Sequence, residues 1–288
     1  SKEVAHGLKF VTDGEFRRRW WHLDWLKEFD GFDTIIRYKE LNGMTHELEY
    51  GQVTGKFFYD KNKDHAEMYA WDFLNSEAQK YDGIIAKKCI SGPNMILIDH
   101  LLQLGHKDTP YYGNDIEALI NDIGLAYQDA IRDFYDHGCR YIQIDDTSWT
   151  YLIDDNFVAK VEALGYTKPQ VLDWFQRVST KALENRPEDM TIATHFCKGN
   201  FKGNPLFHGF YDTVAPIIAQ IPYDAYFEEY DDERSGSFDP WAPMKGRDAL
   251  FVAGLISTKN PVLEDKAVLK KRFEEAKAVV GDQIALSP

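Results

Sequence analysis

Two soft metal donors stand two positions apart in the stretch Met190-Thr191-Ile192-Ala193-Thr194-His195-Phe196-Cys197-Lys198-Gly199-Asn200. Met190 to Thr194 is a short apolar, β-branched run and Lys198-Gly199-Asn200 is turn chemistry, so His195 and Cys197 fall at the C-terminal end of a strand. Residues i and i+2 of an extended segment point the same way. One tripeptide therefore offers a zinc ion an imidazole nitrogen and a thiolate, each about 2.0–2.3 Å from the metal. By itself the pair is a weak signal, and a half-buried Cys and a hydrogen-bonded His beside a loop fit it better. A catalytic zinc commonly takes three protein ligands and keeps one position open. Glu228 or Glu229, one strand further on, supplies the third, and only one of them can face the metal because strand neighbours point to opposite sides. A zinc so bound holds a substrate thiol as thiolate near neutral pH, because a coordinating thiol is deprotonated outright. Glu15 and Asp145 suit an ammonium group on that substrate, with helix caps and loop ion pairs as the alternative role.

These groups share a position in the pattern of elements. Lys9 to Thr12 reads as a strand running into Asp13-Gly14-Glu15, with a helix following from about Arg17 to Phe29. Residues 45–60 alternate and carry glycines, which predicts a surface β-hairpin insertion. Helical periodicity covers Asp64 to Lys80, a strand covers Ile84 to Ile90 before Ser91-Gly92-Pro93-Asn94, and a helix covers Met95 to Leu104. A long amphipathic helix, Asn114 to His137, delivers the chain to Tyr141-Ile142-Gln143-Ile144-Asp145-Asp146. Two helices fit 155–184, then come the His195 strand, a helix around 206–219, and the strand Ala225-Tyr226-Phe227 ending in Glu228-Glu229. Leu250 to Ile256, a helix from Glu264 to Val280 and a strand from Gln283 to Leu286 complete the chain.

Strand alternating with helix about seven times predicts either a (β/α)8 barrel or a doubly wound sheet. Asp13/Glu15, Ser91/Asn94, Asp145/Asp146, His195/Cys197, Glu228/Glu229 and Ser257-Thr258-Lys259 all lie at strand C-termini, which converge on one mouth only in the closed barrel. The expectation is thus one barrel domain over residues 1–288, one strand short of eight. Lys259 is then placed at the mouth, where a nearby zinc would favour its neutral amine and make it a proton carrier; a solvated loop lysine is the alternative.

The chain has 288 residues, 44% hydrophobic, enough for a full core. A net charge of −14 with the acids dispersed argues against nucleic acid or an anionic membrane as partner. No stretch approaches the ~20 apolar residues of a membrane span, and the N-terminus lacks signal-peptide character, so the expected setting is cytoplasmic. Cys89, Cys139 and Cys197 are too few for a disulfide framework and leave thiols free for metal.

Taken in order, Asp13-Gly14-Glu15-Phe16-Arg17-Arg18, Ser91-Gly92-Pro93, Ile142-Gln143-Ile144-Asp145, Thr194-His195-Phe196-Cys197 and Glu229-Tyr230-Asp231 resemble the cobalamin-independent methionine synthase family, in particular short single-barrel homologues of its catalytic C-terminal half. The resemblance spans nearly the whole chain. It implies a (β/α)8 barrel and zinc-dependent methyl transfer to homocysteine, with His195, Cys197 and Glu229 as zinc ligands. Glu15 and Asp145 would hold the amino acid's ammonium, and Ser91 would assist with its carboxylate. Three departures accompany it. The family's last zinc ligand, a Cys after the final strand, would follow Leu286-Ser287-Pro288; the family's first strand would precede the Asp-Gly-Glu segment; and Lys259 stands where the large synthase has a catalytic His. The expectation is a core of a longer polypeptide. The methyl donor stays open, a methyltetrahydrofolate being one candidate. A thiol alkyltransferase resembling the epoxyalkane–coenzyme M transferases, or a barrel kept as a binding protein, are the alternatives.

Overall fold

The computed structural model of the chain describes residues 2–41, 44–105, 110–199, 206–207, 209–259 and 261–288. Its elements divide between two compact units, Ser1–Gln143 with Arg177–Thr191 and Ile144–Gln176 with Ile192–Pro288. In chain order they are α1 (Lys2–Ala5), β1 (Phe10–Val11), α2 (Leu23–Leu26), β2 (Asp30–Leu41), β3 (Met44–Phe58), α3 (Ala66–Ala78), β4 (Ile85–Ala86), β5 (Lys88–Ser91), α4 (Asn94–Leu104), α5 (Ile116–Asp136) and β6 (Tyr141–Asp145). There follow α6 (Asp155–Ala163), α7 (Lys168–Ala182), β7 (Thr191–Phe196), α8 (Ala215–Ile218), β8 (Ala225–Glu229), β9 (Leu250–Gly254), α9 (Lys266–Val280) and β10 (Ile284–Ser287).

The first unit is built on α5. Ile116, Leu119, Ile120, Ile123, Tyr127, Ile131 and Phe134 recur at helical spacing and are all buried, and Asp115 caps the helix by accepting from the Ala118 amide. Against this stripe packs an aromatic cluster: Phe29 stacks on Phe57 (4.8 Å) and on Tyr127 (5.3 Å), and Trp25 Nε1 donates to the Tyr127 hydroxyl at 3.1 Å. That hydroxyl in turn donates to the Ser91 carbonyl at 2.8 Å, tying the end of β5 to the core. The helix expected from Arg17 to Phe29 contracts to the single turn of α2. Its polar groups serve non-helical contacts, the Asp24 carboxylate accepting from the Trp20 amide and the Trp21 carbonyl accepting from the Arg18 side chain.

The hairpin is longer than the alternation at 45–60 predicts. β2 and β3 pair antiparallel from Asp30↔Phe58 to Leu41↔Met44, with a register shift between Asp30 and Phe32 at Gly31, whose φ is +79°. It lies on α4. The Val53 amide donates to Gln103 Oε1 (2.9 Å), and Gly51 faces Asp99 so closely that a Cβ there would come within 2.0 Å of the Asp99 carboxylate.

In the second unit β7, β8, β9 and β10 form a parallel sheet in chain order, with the end of β6 beside β7. Helix α9 contributes Ala276 and Val280 to the core, and Trp241 packs against Phe251 (5.3 Å) and Tyr226 (6.2 Å between ring centres). The fold is thus mixed α/β with a parallel sheet. Among the described residues no closed barrel is formed, and the (β/α)8 arrangement expected from the sequence is not confirmed. The strand expected over Ile84 to Ile90 breaks at Lys87: β4 pairs with β1 over two residues, and β5 starts afresh at Lys88. No helix among the described residues is long and apolar enough to cross a membrane.

Burial pushes the Asp99 carboxyl up to about 7. A raised carboxyl stabilises the fold while protonated, and that contribution declines as pH climbs from the unfolded value near 4 through about 7, by up to roughly 4 kcal/mol. Asp99→Asn should abolish this decline. The stability gap between variant and wild type, from urea unfolding at pH 5 and pH 8, is expected to shift in the variant's favour at pH 8. Burial holds the neighbouring His100 low, which costs stability as pH falls below about 6.5, equally in both proteins. An unchanged gap at the two pH values would contradict the assignment.

Candidate metal centre

Parallel pairing of β7 with β8 puts His195 opposite Phe227 and Phe196 opposite Glu228. Paired residues of neighbouring strands share a face, so His195, Phe227 and Glu229 project to one side, and Phe196 and Glu228 to the other. The two sides differ in environment. Phe196 and Glu228 are each 1% exposed, whereas His195, Phe227 and Glu229 are half-buried. Cys197, two residues beyond His195, is half-buried as well.

The His195 imidazole donates from Nδ1 to Asp145 Oδ1 at 3.0 Å and also contacts the Cys197 sulfur. Burial pulls this imidazole's pKa down, but the Cys197 sulfur and the Asp145 carboxylate outweigh it and leave it well above the ordinary range. The backbone reinforces the arrangement, since the Asp146 amide donates to the His195 carbonyl at 2.9 Å. Asp146 itself turns inward, accepting from Trp149 Nε1 at 3.0 Å and from the Ser148 hydroxyl.

Glu229 is held from two directions. One oxygen accepts from the Lys198 amide (3.1 Å) and the other meets the Lys259 ammonium at 3.1 Å. Lys259 also bonds Asp231 (2.9 Å), which accepts from the Ser257 hydroxyl at 2.8 Å. Burial lowers the Lys259 pKa, but hydrogen bonding to Asp231 and the Glu229 charge more than offset it and the net direction is upward. The neutral amine expected beside a metal is therefore an ammonium clamped between carboxylates. With Glu229 drawn toward Lys259, the donor atoms of His195, Cys197 and Glu229 do not all lie within 4.8 Å of one another among the described residues. Donor chemistry nonetheless fits a zinc ion: an imidazole and a thiol in contact, and a carboxylate on the same sheet face one strand away.

Glu15 and Ser91 belong to the first unit. Glu15 follows β1 in a left-handed backbone conformation (φ 56°), with its carboxylate 3.3 Å from the Arg18 guanidinium. The Ser91 side chain is fully buried at the end of β5 and its hydroxyl lies 3.5 Å from the Gly92 carbonyl.

Several features around these sites go beyond the sequence reading, which offered Glu228 only as the alternative to Glu229. Lys198 is fully buried, its amine donating to the Arg234 carbonyl and lying 4.8 Å over the Tyr211 ring, and burial brings it down to about 8. Glu228, on the opposite face, has no hydrogen-bond partner for either oxygen among the described residues, and burial lifts its carboxyl well above the usual range. Arg18, three residues after Glu15, was within reach of local spacing. Its partner Glu67 is 49 residues away, with nothing local to mark it.

No protein-family model matches the chain. YxjG and YxjH of Bacillus subtilis, both uncharacterized, are 36% and 37% identical to it over 291 residues, covering all of this chain and 74% of each relative. Among solved structures, a candidate vitamin-B12-independent methionine synthase of Listeria monocytogenes is 30% identical with a TM-score of 0.74, covering all of this chain and 76% of that one. A B12-independent methionine synthase of Shewanella sp. W3-18-1, solved with selenomethionine, shares the fold at 16% identity (TM-score 0.70; 99% of this chain, 76% of that one). A methyltransferase of Methanosarcina mazei shares it more distantly, at 14% identity and a TM-score of 0.54, again over 99% and 76%. On this whole-chain likeness to the Listeria protein, the chain belongs to the cobalamin-independent methionine synthase family.

Proposed function

We propose that the chain is a zinc-dependent S-methyltransferase that activates the thiol of homocysteine and forms methionine, on a single barrel domain of the (β/α)8 type that the family implies. The observation that carries this reading is the shared face of His195 and Glu229 at the ends of adjacent strands, with the Cys197 sulfur against the imidazole. His195, Cys197 and Glu229 would hold the metal. Bound there, zinc would keep a substrate thiol as thiolate near neutral pH.

The chain's own residues supply the rest. Asp145 fixes the His195 ring by accepting from Nδ1, which would leave Nε2 for the metal, the usual arrangement behind a ligating imidazole. Glu15 and Asp145 are the acids for the substrate ammonium. Lys259, as an ammonium, suits donation of a proton to the leaving group of the methyl donor, for which a methyltetrahydrofolate is the candidate. It also holds Glu229, a carboxylate for which a bound metal would compete.

Three measurements test this. In competition with a chromophoric chelator, His195→Ala and Cys197→Ser should each abolish stoichiometric zinc binding, and Asp145→Asn should weaken it by about 10–100-fold through loss of ring orientation. Unchanged affinity in the first two variants would remove these residues from the metal site.

Calorimetric titration of the zinc-loaded protein should show homocysteine binding more tightly than coenzyme M, because acids rather than cations are assigned to the thiol's far end. Glu15→Gln should weaken homocysteine by roughly ten- to a hundredfold while leaving 2-mercaptoethanol unaffected. A preference for coenzyme M would favour the epoxyalkane-type alkyltransferase reading.

Lys259→Met should slow methyl transfer without weakening thiol binding. It also leaves Asp231, whose side chain is 3% exposed, short of a partner, so urea unfolding should register a loss of about 1–3 kcal/mol, partly recovered in Lys259→Met/Asp231→Asn. Full methyl transfer by the single variant would restrict Lys259 to a structural role.

A further inference from the structure

Among the described residues of the first unit, one set of buried charges ends at a functional group. Arg18, in the turn after β1, directs Nε and Nη2 onto the two carboxylate oxygens of Glu67, each at 2.8 Å. Glu67 lies in the first turn of α3, where a negative charge is favoured, and also pairs with the ammonium of Lys88 on β5. The remaining Arg18 donors reach the Cys89 and Trp21 carbonyls. The side chains of Arg18, Glu67 and Lys88 are 5%, 7% and 4% exposed. Glu15, the fourth member, is 32% exposed, with its carboxylate 3.3 Å from Arg18.

The backbone at Glu15 is constrained too. A non-glycine residue in the left-handed region costs about 1–2 kcal/mol and persists only where its surroundings over-determine it. Here the Asp13 carboxylate accepts from the Glu15 amide (2.9 Å) and the Glu15 carbonyl accepts from the Arg18 amide (2.9 Å). Buried ion networks are poor sources of stability, since well-packed apolar residues do as well or better. What this one supplies is geometry. Two carboxylates, Glu15 and Glu67, face two cations, Arg18 and Lys88.

We infer that Arg18, Glu67 and Lys88 are positioning residues that fix the Glu15 carboxylate for a cationic amine, and so make the site select amino-thiols over neutral thiols. The inference rests on the assignment of Glu15 to the substrate ammonium. Glu67 is the decisive member. While it takes both prongs of the guanidinium, Arg18 is a support for Glu15. Without its charge, Glu15 becomes the nearest carboxylate for Arg18, and the guanidinium closes over the group meant for the substrate.

The test is the ratio of dissociation constants for homocysteine and 2-mercaptoethanol, titrated into zinc-loaded protein. Glu67→Gln keeps the shape and removes the charge, and should weaken homocysteine by roughly tenfold with mercaptoethanol unchanged. Glu67→Asp should restore part of the ratio. Glu67→Gln leaves Lys88 uncompensated, so Glu67→Gln/Lys88→Met, which removes one charge of each sign, is measured beside it and should shift the ratio in the same direction. Glu15→Gln calibrates the series. If Glu15→Gln shifts the ratio and the Glu67 variants do not, the positioning role is overturned while the ammonium assignment stands. Equal weakening of both thiols by the Glu67 variants also overturns it, leaving a structural network. If Glu15→Gln itself leaves the ratio unchanged, the ammonium assignment fails and the inference fails with it.

Discussion

The register between β7 and β8 is the constraint on which the candidate centre depends. With His195 opposite Phe227, Glu229 shares the imidazole's face. A slip of one residue would present Glu228 there instead and bury Glu229. Two adjacent glutamates at a strand end would tolerate such a slip chemically, so the choice between them comes from packing. Tyr226, fully buried on the Glu228 side of the same strand, would be carried by the slip to the half-buried face.

From that register the electrostatics follow. An imidazole against a thiol and a carboxylate is held toward its charged form, and Glu229 draws the Lys259 ammonium, which Asp231 and Ser257 steady from behind. The Lys259 clamp and the Arg18–Glu67–Lys88 set follow one pattern, a half-buried carboxylate backed by a cation that is itself backed by a more deeply buried carboxylate. In each case the outer carboxylate is the one assigned a ligand.

Much of this was legible before any coordinates. Helical periodicity located α3, α5 and α7 closely because each buries one apolar stripe, α4 and α9 were found as well although α4 is buried nearly all round and α9 buries only Ala276 and Val280, and apolar runs located β6 to β10. It failed between Arg17 and Phe29, where aromatic and basic residues at helical spacing are diverted into side-chain contacts with distant elements, and around 206–219, where α8 keeps a single turn. The first arm of the hairpin was missed because Asp30 to Leu41 follows directly on the expected helix, although it alternates as clearly as the second arm.

What the sequence determined by itself is the order of elements and the placing of chemical groups at strand ends, because both depend on local spacing and turn chemistry. His195 and Cys197 share a direction by alternation alone, and the ordered motifs point to the family. Partnership was decided by tertiary structure. That Glu229 rather than Glu228 shares the face of His195, that Asp145 holds the His195 ring, that Lys259 is clamped as an ammonium and that Glu67 braces Arg18 all join residues 28 to 50 positions apart. No local pattern encodes such pairs, since they depend on which strands lie side by side and on how far each charge is removed from water.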